Sequence, residues 1–158
     1  MAIDEHEDAL RATFAAGNKE AWAEWRKKWG AKHPDEPIDL SGLELGRARL
    51  PGYDFKDVNL SGCDFHFANL EGVSFCDADI SHAEFNEAFL YGANMHSVKN
   101  AHQALNLETV RTESISGGNR AGVIYFEECI RKWPERHASW DRVASFGRLC
   151  SATLGTPW

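Results

Sequence analysis

Between Ile38 and Val98 the sequence repeats every five residues, and no other feature restricts the fold of this chain as much. Cut at that period it reads IDLSG LELGR ARLPG YDFKD VNLSG CDFHF ANLEG VSFCD ADISH AEFNE AFLYG ANMHS. The third residue of each block is large and apolar: Leu40, Leu45, Leu50, Phe55, Leu60, Phe65, Leu70, Phe75, Ile80, Phe85, Leu90 and Met95. The first residue is small or apolar throughout and becomes Ala toward the end, from Ala78 to Ala93. Two inward columns are therefore written into the chain.

A period of five matches neither the 3.6 residues of a helix nor the two of a strand. A chain whose blocks each form one side of a square coil returns to the same side after four blocks, and its coils stack at strand spacing. Ala68 to Leu70 (AlaAsnLeu) and Ala78 to Ile80 (AlaAspIle) show the motif most clearly, and here the sequence resembles the pentapeptide-repeat family. The resemblance implies a mainly β fold, a right-handed quadrilateral β-helix. Three coils are expected over residues 38–98, with a degenerate fourth coil and loop over 99–118. Counting on by fives from Met95 places Asn100, Leu105, Val110 and Ile115 on the large column, while Gln103, Glu108 and Glu113 interrupt the small one.

The flanks read as helical caps at both termini. Within residues 1–37 a helix is expected from Asp4 to Ala16, stopped by Gly17. A second, N-capped by Asn18, is expected to end at Gly30. Trp22, Trp25 and Trp29 fall on one face of it, a face that must bury, and the open first coil is the surface in need of cover. The linker Lys32 to Pro37 leads into the repeat. Residues 119–158 contain two further helical patterns, the later one capped by Ser139 and carrying Trp140, Val143, Phe146 and Leu149 at helical spacing.

Charge is concentrated in the repeat, where ten acids face three bases. Such a surface repels nucleic acid and anionic membranes, so neither direct nucleic-acid binding nor membrane binding is expected. The partner is expected to be another protein, or a second copy of the chain as a homodimer. Glu44, Asp64 and Glu84 recur every twenty residues and should stack as an acidic column, although Asp at the second position is also ordinary in this repeat. Phe67, Phe89 and Tyr91 occupy outward positions and form the second partner-binding candidate, with packing of a terminal helix as the alternative. Gly42 and Gly62 share one corner and Gly52, Gly72 and Gly92 the facing one, leaving two corners without glycine.

No phosphate loop, dinucleotide loop, HExxH or paired CxxC occurs. Gly117 to Gly122 lacks the Lys-Ser that a phosphate loop needs. Cys76 with His96, and His82 with His102 if the fourth coil keeps register, should stack outside the coil without a third group to complete a triad or a metal shell. No catalytic residue, metal or cofactor is expected. Cys63 lies on an inward column, and the four cysteines show no disulfide framework. With no membrane span and no secretory signal in the sequence, a cytoplasmic location is the expectation. The reading is a non-enzymatic protein-binding or scaffold module. Its alternative follows from the resemblance: an acidic DNA mimic acting on a DNA-binding protein such as a type II topoisomerase.

Overall fold

A computed structural model describes residues 3–111, and the expected C-terminal helices lie outside them. From Asp39 onward the chain winds in a parallel β-helix. Bridges join Asp39 to Asn59, Glu44 to Asp64, Arg49 to Asn69 and Asp54 to Ser74, and each column continues one coil further with the same offset. Four bridges per turn make four sides, which begin in the first coil at Ile38, Leu43, Ala48 and Tyr53. All twelve large third-position residues are buried, and Phe55, Phe65, Phe75 and Phe85 form a tilted to T-shaped aromatic stack with centroids 5.2–6.1 Å apart.

The repeat motif follows from an accounting of backbone N–H groups, each of which must find an acceptor. The second residue donates to the first-residue carbonyl of the coil before it, as Asp64 N does to Leu43 O at 2.9 Å. The third and fifth donate to the coil after it, as Leu45 N does to Asp64 O and Arg47 N to His66 O, both at 2.8 Å. The first residue of the next block closes the corner, Ala48 N donating to Leu45 O at 3.1 Å. That leaves the fourth N–H, and the Asp or Asn at the second position accepts it through an Asx turn. Asp39, Asp54, Asn59, Asp64, Asn69, Asp79 and Asn94 all do so, at 2.9–3.1 Å. Pro51, also at a fourth position, has no N–H to satisfy.

The corners are more uniform than glycine placement suggests. Every fifth residue has positive φ, and these include Arg47, Asp57, Phe67, Asp77, His82, Glu87 and Ser97 as well as the five glycines. The bond from the third to the next first residue, with positive φ at the third of four positions, is the pattern of a type II turn. The corners without glycine thus adopt the same left-handed geometry at greater steric cost.

After Val98 the register slips. Lys99 still pairs twenty residues back with Asp79, but Leu105 pairs with Glu84 and Arg111 with Phe89, at offsets of twenty-one and twenty-two. The extra residues form two 3-10 helices, Ala101–Gln103 and Leu107–Thr109, each entered through an asparagine of positive φ, Asn100 or Asn106. The count by fives therefore fails. Leu105 points outward at 49 % exposure, and Ala101 and Leu107 fill the interior in its place. Val110 is half-buried against the core, and Ile115 lies outside the described residues.

Two helices precede the coils: α1 (Asp4–Ala15) and α2 (Lys19–Lys32), the latter capped by Asn18 Oδ1, which accepts from Ala21 N at 3.0 Å. Gly30 does not end α2. The helix runs one half-turn further and stops before Pro34, whose ring disfavours helical backbone at the preceding residue.

Candidate functional site

The outer wall of the second side carries the candidate site. Its three expected acids do stack, through the bridges from Glu44 to Asp64 and from Asp64 to Glu84. Their chemistry is not uniform. Asp64 is tied into its own corner by the Asx bond from His66 N, and His66 Nδ1–H also donates to its carboxylate at 2.7 Å. Glu84 accepts from Asn106 Nδ2 at 3.2 Å, and Glu44 is exposed. A glutamate is one methylene too long for the Asx turn, so Glu44 and Glu84 carry their charge without serving the corner.

The same accounting explains most of the repeat's acidity. Asp39, Asp54, Asp64 and Asp79 accept corner N–H groups, while Asp57 and Asp77 occupy left-handed fifth positions, which Asp tolerates better than most residues. Six of the ten acids are thereby required by the coil itself. Burial pushes Asp79 up, but hydrogen bonds from Ser81 and Asn100 and the charge of Lys99 outweigh it and hold the carboxyl below its ordinary value.

Phe67 is the one large aromatic of the site with a broadly open ring, at 42 % exposure. It sits edge-on to His66 and under the guanidinium of Arg47, 6.0 Å from the ring centre. His66 in turn lies over Gly46: a Cβ there would fall 2.0 Å from the imidazole. Glycine at this fourth position is what lets the imidazole fold down beside Phe67. Phe89 and Tyr91, on the third side, are half-buried rather than open, and Arg111 covers Phe89 at 5.2 Å while its Nε–H donates to Glu87 at 2.7 Å. Phe67 and the acidic column thus share one wall, whereas Phe89 and Tyr91 belong to another.

The histidine and cysteine pairs do not assemble. Cys76 bonds to the Asp77 carboxylate and His96 to Ser97, and the register slip removes the basis for stacking His82 on His102. Among the described residues no cluster of His, Cys, Asp and Glu could hold a metal ion. Cys63 is buried with its thiol 3.0 Å from Leu40 O, and burial pushes its pKa up to about 12.

What sequence reasoning missed is how the helices hold the first coil. Trp22 is buried as expected, and Trp25 and Trp29 stack beyond it with centroids 5.2 and 5.6 Å apart. Yet the anchoring is polar. In later coils each second-position N–H donates to a carbonyl of the coil before it; for Asp39 there is no such coil, and His6 Nδ1 accepts instead at 3.0 Å. Asp39 O receives Ile3 N at 3.3 Å. Asp54 O receives Trp22 Nε1 at 2.8 Å and Arg26 Nη1 at 2.9 Å, Lys56 O receives Arg26 Nη2, and Arg26 also pairs with the Asp54 carboxylate. Side chains of the hairpin stand in for an absent coil, bond by bond.

Comparison with known proteins agrees with this architecture. The family model for pentapeptide repeats matches eight copies over residues 38–75 and 59–96. Nothing among curated proteins matches the chain. Among solved structures it is similar to a pentapeptide repeat protein of the Arabidopsis thaliana thylakoid lumen, at 26 % identity and a TM-score of 0.43, over 68 % of this chain and 88 % of that one. It is also similar to a pentapeptide repeat protein of the cyanobacterium Cyanothece, at 23 % identity and a TM-score of 0.30, over 48 % of this chain and 54 % of that one. The expectation of a cytoplasmic protein is corrected by the first of these, which resides in a thylakoid lumen; a default drawn from a missing signal assigns no compartment. Among the described residues no helix is long and apolar enough to cross a membrane. Through the five-residue register of residues 38–96 and the coils built on it, this chain belongs to the pentapeptide-repeat family.

Proposed function

We propose that the chain is a non-enzymatic protein-binding module, a short right-handed solenoid that presents its second side to another protein. The observation that supports this reading is the open Phe67 ring beside Arg47, His66 and the free carboxylate of Glu44, an apolar centre with a charged rim of the kind that protein interfaces use. The acids tied into corners add a negative field that favours a basic partner. Phe67→Ser together with Glu44→Gln should abolish capture of a partner that the unchanged chain retains in a pull-down. Equal capture by the Tyr91→Ser chain and by the unchanged one is also expected, since Tyr91 lies on a different wall. Loss of capture in the Tyr91→Ser chain alone would move the interface to the third side.

The stacked acids favour a second reading, mimicry of DNA toward a type II topoisomerase. Size argues against it for a single chain. Four coils at about 4.7–4.9 Å extend on the order of 15–20 Å, about half of a duplex turn of roughly 34–36 Å. A monomer should leave gyrase supercoiling unchanged. Inhibition that disappears on changing Glu44, Asp64 and Glu84 together to Gln would overturn the module reading in favour of the mimic.

A further inference from the structure

Where the turn between α1 and α2 meets the first coil, a groove of about 780 Å³ opens between the helices and the third side. Its walls are Phe14, Lys19, Arg49, Pro51, Gly52 and Tyr53. Three features of it point to a ligand. Tyr53 is 2 % exposed and its hydroxyl has no hydrogen-bond partner, although buried hydroxyls are ordinarily satisfied. Two cations, Lys19 and Arg49, border the same space, and the first turn of α2 adds the positive end of a fourteen-residue helix. Phe14 and Pro51 supply apolar wall, which a bare inorganic ion could not use.

The opposing charges are Glu20 and Glu71. Glu20 is exposed on the helix, and Glu71 has interactions of its own within the chain. Gly52 matters sterically: a Cβ there would stand 3.0 Å from Lys19 Nζ, so its absence leaves the ammonium room to lie against the coil. The volume falls in the range of small-molecule sites. We infer that this groove binds a small organic anion, a carboxylate carried on an apolar body, with Arg49 and Lys19 pairing the charge and the Tyr53 hydroxyl donating to it.

Titration of the full-length ¹⁵N-labelled protein with benzoate, benzyl alcohol and inorganic phosphate tests the assignment. Benzoate should shift the amides of Gly17, Lys19 and Gly52 in a saturable manner. Benzyl alcohol lacks the charge and phosphate lacks the apolar body, so each should bind at least about tenfold more weakly. Arg49→Gln and Tyr53→Phe should each weaken benzoate on the order of tenfold. Absence of a saturable shift with benzoate, binding unchanged in Arg49→Gln, or phosphate binding as tightly as benzoate would each overturn the proposal. If Tyr53→Phe fails to fold, Arg49→Gln decides alone, because Arg49 is exposed and its replacement leaves the coil intact.

Discussion

The coils and the helical hairpin satisfy the same backbone groups by opposite means. In the coils, each N–H finds an acceptor in the neighbouring turn, so one five-residue rule serves for sixty residues. In the hairpin, His6, Trp22, Arg26 and the N–H of Ile3 each answer one particular group of the first coil, Asp39 or Asp54 or Lys56, and no period relates them. A repeat can be extended by copying. An end must be fitted individually.

The most drastic way to break this relation is to remove the fitted end. Deleting residues 1–30 leaves Asp39 N, Asp54 O and Lys56 O without partners and uncovers Leu40 and Phe55, so the shortened chain should aggregate where the full one stays monomeric by light scattering. A soluble, equally stable remainder would show that the hairpin is an ornament. Within the coils, Phe65→Ala removes a buried ring from the aromatic stack and should lower unfolding free energy by about 3–5 kcal/mol. Leu105→Ala, in the slipped coil, should cost within about 0.5 kcal/mol, as exposed substitutions do. Equal losses in denaturant titrations of the two variants would mean that the five-residue count continues past Val98 after all.

Corners offer a finer test. Gly62 has φ +67°, and its nearest would-be neighbour for a Cβ is the Gly42 backbone at 4.0 Å, so Gly62→Ala tests the left-handed backbone with little crowding. It should cost about 1–2 kcal/mol. Glu87→Gly, at a corner that already tolerates a side chain, should be offset by loss of the Arg111 pair and change little. The smallest effect concerns acid. Because the Asp79 carboxyl is held below its ordinary value in the folded chain, it contributes stability above the unfolded-state pKa, and that contribution is lost as pH falls through the folded one. Asp79→Asn keeps the Asx acceptor, as Asn59 and Asn69 show, and should flatten the acid limb of a stability profile while leaving neutral pH nearly unchanged. A variant whose acid limb superimposes on that of the parent would assign the sensitivity to other carboxylates.

Much of the fold was legible because a period is a global signal: every inward residue from Leu40 to Met95 is where the five-residue count puts it. The stacking of Glu44, Asp64 and Glu84 was legible for the same reason. The division of labour among those acids was not, since it turns on one methylene between Asp and Glu. Left-handed backbone at Arg47, Phe67 or Glu87 leaves no mark in residue type, whereas glycine does. The slip after Val98 could be suspected only from asparagines at positions 100 and 106, where the large column fails. His6 carried no signal at all, because its role depends on where Asp39 lies thirty-three residues later.

The offsets of twenty-one and twenty-two in the last described coil have a consequence beyond local geometry. A solenoid of constant perimeter is a one-dimensional crystal, and any identical layer can grow on its exposed face. By lengthening two sides of the layer, the inserted residues create a lattice mismatch, so that a regular twenty-residue turn no longer finds its donors and acceptors in step. The protein poisons its own growth front. The length of the stack is thereby written as a defect in the register, and indefinite head-to-tail polymerisation, the standing hazard of a fold made of open edges, is refused by the chain's own last turn.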